Sequence, residues 1–503
     1  MFTEIFFWGR LARIKTERRF QMKKIVTIVL FAALGLVFKN LKAIEKGIVV
    51  VGLGFDDDGK GKFIDGITQP GDVVVRSQGA GVAGHHANVE NEVYELHHIP
   101  VGILRKDVKC YLAGGMVLDV PLLFQEIKEL EKKGLIDIKD RLRISTSVHL
   151  LLPHHKKMDK CASAAGHVRA SSIARYGVRA CSAEKRFGIG IRLADLFSKD
   201  FPDLLKKAVN RSNDIITKVY GGEPILYKPL LEDYKKYAKE LMPYVRDQVE
   251  LKLNRLLAQK RGGPRVIFEG SHGTFLDVSH GNYPYVSAGS TIASGICAEA
   301  GVGPTRIGHT VGVVKAYATR VGDGPFPTEI KDKKVVSIIQ NKAKRKSPAG
   351  VKVRFGWVDA VMVRQGAMIN GVNSIVITRL DDLDDCAEIK MCIHYKLGDK
   401  DFDYLPPISR DIERVCPHYI TFPGWKCSIG KAKKFSELPP EARDFVKKLE
   451  RVCGVPVSYI SVGPEREQLI EVVANLLPEG ITPSAQQKWS KPSVQEKSVV
   501  KTP

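Results

Sequence analysis

From Ile48 onward the chain alternates short β-branched apolar runs with longer stretches of helical periodicity. A run that is apolar at every position, such as Ile48-Val49-Val50-Val51, marks a strand buried on both faces; apolar residues spaced three and four apart mark a helix with one buried side. This pattern predicts strands over 72–76, 143–151, 265–269, 306–314, 374–378 and 456–461. It predicts helices over 120–133, 193–210, 231–259, 440–453 and 464–476. Strands separated by helices imply an α/β fold, with a large, mainly parallel central sheet flanked by helices. The 231–259 helix is rich in charge and reads as a solvated face, and basic residues 342–346 before Ser347-Pro348-Ala349-Gly350 read as a loop.

The first strand runs directly into Gly52-Leu53-Gly54-Phe55-Asp56-Asp57-Asp58-Gly59-Lys60-Gly61-Lys62. Gly54-x4-Gly59-Lys60 has the spacing of a phosphate-cradling loop, in which glycines let backbone N–H groups approach phosphate oxygens and a lysine supplies charge. Gly61 stands where such P-loops carry a Mg²⁺-ligating hydroxyl, so one of Asp56, Asp57 or Asp58 is the natural oxygen ligand instead. Further segments place charge, glycine and small polar residues at the ends of apolar strands: Phe268-Glu269-Gly270-Ser271-His272-Gly273-Thr274, residues 315–329, and Thr378-Arg379-Leu380-Asp381. A carboxylate such as Asp381 can accept two hydrogen bonds from guanine N1 and N2, a donor pair that adenine lacks.

Composition narrows the classes. The 503 residues are 44% hydrophobic, enough for a large core, and the formal charge of +22 favours polyanionic ligands. The nine cysteines include no Cys-x-x-Cys pair, so neither a zinc site nor a disulfide framework is indicated. Adjacent residues on a strand point to opposite faces, so the pairs His85-His86, His97-His98 and His154-His155 do not read as chelating sites. Near the N-terminus, Met22-Lys23-Lys24 and the apolar run 25–38 have the texture of a secretory signal and are short for a membrane span.

Taken together, these segments resemble the adenylosuccinate synthetase family, GTP-dependent ligases of purine biosynthesis, over most of residues 47–476. The opening loop is similar to the family's Gly-Asp-Glu-Gly-Lys-Gly-Lys, with Asp56 for its first glycine and Asp58 for its glutamate. Gly84-His85 resembles its Ala-Gly-His, and His98-Ile99-Pro100-Val101-Gly102-Ile103-Leu104 its Leu-Ile-Pro-Ser-Gly-Ile-Leu. Residues 268–274, 277–286, 315–329 and Gly356-Trp357-Val358-Asp359 also resemble family segments.

The resemblance implies a P-loop-like GTP-binding ligase joining IMP and aspartate. Asp57 would take the purine N1 proton as the 6-oxygen attacks the γ-phosphate, and His85 would stabilise the transferring group, after which the amine of aspartate displaces phosphate. GTP binding is implied for Asp56, Asp58, Gly59, Lys60, Gly61, Lys62, Gly84, His86, Arg379, Leu380, Asp381, Ser461, Val462, Gly463 and Pro464. IMP binding is implied for Asp57, Lys60, Val82, His85, His272 and Ser287, and Mg²⁺ binding for Asp57 and the Gly84 carbonyl. The implied state is a cytoplasmic homodimer with no nucleic-acid partner, the signal-like segment being the argument for export. Residues 1–43 then form a signal-like or disordered extension, 44–482 the family domain and 483–503 a disordered basic tail.

Several positions depart from the family. Val82 stands for an asparagine, His272 for a glutamine, Ala174 for a phosphate-binding hydroxyl, and Gly188 aligns with an arginine supplied across the dimer near Lys185 and Arg186. In Pro348-Ala349-Gly350-Val351-Lys352-Val353-Arg354, two valines stand where the aspartate-binding loop carries arginines. Losing a charge-assisted contact to a carboxylate costs about 2–5 kcal/mol, roughly 30- to 5000-fold. Lys352 and Arg354 can compensate only if this loop shifts register. A ligase for another purine nucleotide or amine donor, or an inactive GTP-binding paralogue, are the alternatives these departures raise.

Overall fold

A computed structural model describes residues 47–55, 57–81, 84–90, 92–167, 176–259, 263–343 and 353–473. All of these but 258, 259 and 263 belong to one compact unit. The signal-like segment and the basic tail lie outside the described residues, as do Asp56, Val82, Ala174 and 344–352. No helix among the described residues is long and apolar enough to cross a membrane.

Strand β1 (Gly47–Gly52) is buried at every position because parallel neighbours flank it and helices cover both faces. Burying one valine side chain fully contributes about 1.5–3 kcal/mol, and Val49, Val50 and Val51 are all fully buried. Around β1 runs a ten-stranded sheet in the order Leu469–Glu471, Val457–Ser461, Ser374–Thr378, Ile307–Lys315, β1, Val266–Gly273, Val73–Arg76, Lys109–Leu112, Leu142–Ser145, Val245–Arg246. Every pairing is parallel except that of the edge strand Leu469–Glu471. A smaller, mostly antiparallel sheet joins Tyr317–Val321, Val353–Asp359, Glu388–Leu397, Lys400–Phe402 and Cys416–Pro423.

The predicted parallel α/β core is present, with local differences. The 143–151 strand breaks into Leu142–Ser145 and His149–Leu150. The 193–210 helix becomes Leu193–Leu196 and Phe201–Asp214, the second taking Pro202 in its first turn, where a missing N–H costs nothing. The 231–259 helix divides into Tyr227–Leu241 and Val249–Ala258 because Pro243 cannot continue the first, and Val245–Arg246 between them adds to the sheet. Both halves bury a leucine-rich face, so neither is solvated all round. Within 464–476 no helix forms among the described residues: Leu469–Glu471 pairs with Val457–Ser461 instead. By contrast, Pro440–Cys453 ends on Gly454 close to its predicted bounds. The predicted basic loop begins inside the Lys333–Ala343 helix.

The His154-His155 pair lies in the first turn of the Pro153–Ala164 helix, not on a strand, with both rings buried 4.1 Å apart beside Glu184. His155 Nδ1 accepts the Leu152 N–H at 3.0 Å and Nε2 faces Glu184 at 3.2 Å. A neutral ring held this way carries its proton on Nε2, so its outward nitrogen has no lone pair for an ion.

Candidate nucleotide and phosphoryl-transfer site

The loop after β1 gathers its chemistry at the C-terminal ends of the parallel strands, the usual ligand crevice of such sheets. Asp57 and Gly59 both have left-handed backbones, φ 57° and 86°, and Gly59 caps helix α1 (Lys60–Ile67). A Cβ at Gly59 would lie 2.9–3.0 Å from the Thr378 side chain, so glycine is required twice over, by backbone and by space. Thr378 Oγ1 donates to the Asp58 carbonyl at 2.6 Å, clasping the loop to the Ser374–Thr378 strand, two positions away in the sheet. Lys315, almost fully buried, reaches Asp57 Oδ2 at 3.2 Å and Thr319 Oγ1 at 2.6 Å. Lys60 donates to the His272 carbonyl at 2.6 Å and stands 3.9 Å from the buried Asp58 carboxylate.

His85 begins strand β2 (His85–Val89), which packs its backbone against Gly61 of α1. Its Nδ1 lies 2.7 Å from Glu269 Oε1, and Glu269 Oε2 accepts the Val101 N–H at 2.9 Å. Its Nε2 lies 2.6 Å from Arg76 Nη1, whose guanidinium also donates to the His97 carbonyl and, at 2.8 Å, to Ser271 Oγ. Burial lowers the His85 pKa below the usual imidazole value, Glu269 opposing and Arg76 assisting. Gly84 and His86 are exposed, His86 Nε2 lying 3.6 Å from Glu95.

From the first turn of α1, Lys62 Nζ donates to Ser461 Oγ at 2.5 Å, to the Gly463 carbonyl, and to the Gln468 carbonyl at 3.0 Å. Burial pulls its pKa down to about 8 against the pull of Asp381. This ties the phosphate loop to the 461–468 turn, in which Val462 N–H bonds Gln468 and Pro464 is exposed. Arg379, at φ 55°, points Nη1 toward Asp382 Oδ2 at 3.3 Å, and Leu380 is fully buried. Asp381 has its pKa raised to about 6 by burial and the neighbouring Asp382, with Lys62 opposing. Its Oδ1 is buried and takes no hydrogen bond from the described residues, so it remains an acceptor for a ligand donor.

Residues 49–470 match the protein-family model for adenylosuccinate synthetase. The chain belongs to the adenylosuccinate synthetase family. It is 40% identical to the adenylosuccinate synthetase of Clostridium kluyveri over 426 residues, covering 84% of this chain and 98% of that protein. The enzyme of that name from Caldanaerobacter subterraneus subsp. tengcongensis is 38% identical with the same coverage. Among solved structures, the fully ligated adenylosuccinate synthetase from Plasmodium falciparum superposes with a TM-score of 0.78 at 28% identity, covering 85% of this chain and all of that one.

A cleft near the loop is lined by Gln78, His272, Ser287, Lys185, Arg186 and Glu299 among others. Ser287 Oγ donates to the Gly289 carbonyl at 3.0 Å, and His272 has a left-handed backbone, φ 57°. Lys185 Nζ is held by Glu299 at 2.6 Å and by the Gly115 carbonyl at 3.1 Å, while Gly188 ends its helix, exposed, in left-handed conformation. Val353 pairs with Val321, and Arg354 is engaged by Glu329 at 2.9 and 2.7 Å and by the Gly324 carbonyl at 2.6 Å. That pairing holds the Glu329 carboxyl down at about 2.

Sequence reasoning singled out no role for Arg76, Glu269 or Lys315, which support His85 and Asp57. All three had a legible signal: each is a charged residue directly after an apolar run in a buried strand, 73–75, 266–268 and 313–314 respectively. In an α/β sheet such a charge is either paired or facing a ligand.

Proposed function

We propose that this chain joins IMP and aspartate through their C6–N bond at the expense of GTP, giving adenylosuccinate, GDP and phosphate. The observation that carries the reading is the Asp57–Lys315 pair, set in a glycine-capped phosphate loop, together with the half-buried His85 against the buried Glu269. Phosphoryl transfer needs little beyond positioning and charge neutralisation, and these groups supply both.

In this reading the N–H groups at the start of α1, with Lys60, hold the GTP phosphates. Lys315 orients the Asp57 carboxylate, which takes the N1 proton as the IMP 6-oxygen attacks the γ-phosphate. His85 faces the transferring phosphoryl group, and the amine of aspartate then displaces phosphate from C6. Asp381 accepts from guanine N1 and N2, while the 461–464 turn, gripped by Lys62, flanks the base. His272 and Ser287 sit in the cleft that takes IMP. The donor set fits Mg²⁺: Asp57 offers a hard carboxylate at a partly exposed position and Gly84 a carbonyl on an exposed residue, oxygen ligands of the kind that ion shares with phosphates. Bound there, Mg²⁺ would neutralise phosphate charge. A homodimer and a nucleotide-containing compartment, the cytoplasm, complete the reading, with 44–482 as the catalytic domain.

Purified protein given GTP, Mg²⁺, IMP and aspartate should show the absorbance change of the succinylated purine. No signal above a no-enzyme control refutes the reading.

A further inference from the structure

Neither His85-His86 nor His97-His98 can chelate an ion as a pair, because neighbours on a strand face opposite ways. The fold sorts them accordingly. His85 and His98 turn inward, His85 to the buried Glu269 at 2.7 Å and the fully buried His98 to the Asp119 N–H at 3.2 Å. His86 and His97 turn outward, with side chains 50% and 27% exposed. These two meet at one carboxylate. Glu95, in strand β3 (Glu92–Leu96), is the direct cross-strand partner of His86 in β2, and His97 follows it two residues later on the same side. Glu95 Oε1 lies 3.6 Å from His86 Nε2 and 3.9 Å from His97 Nε2.

Those separations are long for hydrogen bonds but suit atoms that share a cation. Two ligand atoms about 2.0–2.1 Å from a tetrahedral ion stand about 3.3–3.5 Å apart, so each nitrogen is within a few tenths of an ångström of that spacing from the carboxylate. His97 is the fixed member: its N–H donates to Glu126 Oε1 at 2.8 Å and its carbonyl accepts from Arg76. His86 and Glu95 are half-exposed and have room to rotate toward it. Gly84 keeps the carboxylate in place, since a Cβ there would lie 2.8 Å from Glu95 Oε1 and a side chain would push it outward. Two imidazoles with one carboxylate suit a borderline divalent ion such as Zn²⁺, whereas Mg²⁺ takes oxygen ligands.

We propose that His86, Glu95 and His97 form a divalent-metal site of the Zn²⁺ class, with water completing the shell and distinct from the oxygen ligands that suit Mg²⁺. The ion clips the two strands of the hairpin together and fastens them to the loop that begins at His97. The site stands independently of the reaction assigned above.

Calorimetry of the full chain with ZnCl₂ alone, without nucleotide or Mg²⁺, should show one equivalent bound with a Kd of about 10 µM or tighter. An excess of Mg²⁺ should leave it in place. Co²⁺ bound instead should show no thiolate charge-transfer band with the first equivalent, which separates this site from cysteine ligands such as the exposed Cys416 and Cys427. Glu95→Gln and His86→Ala change half-exposed side chains and should each weaken Zn²⁺ binding at least about 10-fold and reduce the rise in melting temperature that Zn²⁺ causes. His97→Ala should do the same, or His97→Gln if the first does not fold. No binding, displacement by Mg²⁺, or a thiolate band overturns the proposal. So does binding that survives all of these substitutions and is lost in His154→Ala, which would place the ion beside Glu184 instead.

Discussion

Asp381→Asn tests the base-recognition end of the site, where the structure makes a definite statement about one oxygen. Asp381 Oδ1 is buried without a hydrogen bond from the described residues, and burial beside Asp382 has raised its pKa to about 6. At neutral pH it is therefore ionised and ready to accept from guanine N1–H and the 2-amino group. A hydrogen bond to a charged group contributes about 1.5–3 kcal/mol, so losing two costs about 3–6 kcal/mol, or roughly 150- to 25,000-fold in affinity. Asparagine turns one acceptor into a donor, which clashes with the 2-amino group but suits the 2-oxygen of xanthine. Calorimetry should show GTP affinity falling by at least about 100-fold and XTP binding more tightly to the variant than to the parent protein. The same oxygen predicts a pH effect in the parent protein. Guanine binding favours ionised Asp381, so GTP affinity holds above pH 6 and falls, by up to about tenfold per pH unit, as pH drops through the free-protein value. Unchanged GTP affinity in Asp381→Asn, or an affinity flat between pH 7 and 5, refutes the reasoning.

Three further outcomes follow from the geometry. Asp57→Asn removes the proposed base while keeping its size; ligation should drop at least about 1000-fold with the melting temperature little changed, whereas retained activity excludes Asp57 as the base. Gly59→Ala forces an L-residue to φ 86° and a methyl to within 3 Å of Thr378, so thermal unfolding should show a loss of about 1–3 kcal/mol, and a neutral substitution would mean the loop relaxes freely. Arg354→Ala breaks the Glu329 pair: because the Glu329 carboxyl is depressed to about 2 from an ordinary value near 4.5, the pair stabilises the fold above about pH 4.5 and loses that contribution as pH falls toward 2. Because Lys331 shares the carboxylate and the pair is partly open to screening solvent, the parent protein should lead the variant by about 1 kcal/mol at pH 7 in denaturant titration, with the gap closing toward pH 2; a gap independent of pH would assign the loss to packing on Phe326 instead.

What the sequence revealed, and what it hid, follows from the range over which each signal acts. Buried parallel strands such as Val73–Arg76 and Ser374–Thr378 were legible because their apolar runs have no alternative but the sheet interior. The phosphate loop was legible because glycine at position 59 answers a local demand for left-handed backbone. The 464–476 segment misled because apolar residues spaced for a helix were instead recruited as an edge strand by Val457–Ser461, a partner that periodicity cannot announce. The 231–259 segment misled through a single proline, whose break let two residues between the helices join the sheet.

The site divides along the same line. Asp57, Lys60 and Lys62 lie within six residues of one another, and a motif can hold them. Arg76, Glu269 and Lys315 come from three different strands and meet the loop and His85 only because parallel packing brings the C-terminal ends of those strands together. Arg354 shows the converse: its position invited a substrate role, but Glu329, from the segment between Tyr317–Val321 and the Lys333–Ala343 helix, takes its guanidinium first. With that arginine committed and valine at 353 fixed by its pairing with Val321, aspartate must be gripped by other cations if it is the amine donor. Its KM is therefore the kinetic constant in which this chain should differ most from its relatives, and a KM for aspartate unaffected by Arg354→Ala would agree with Arg354 serving the fold alone.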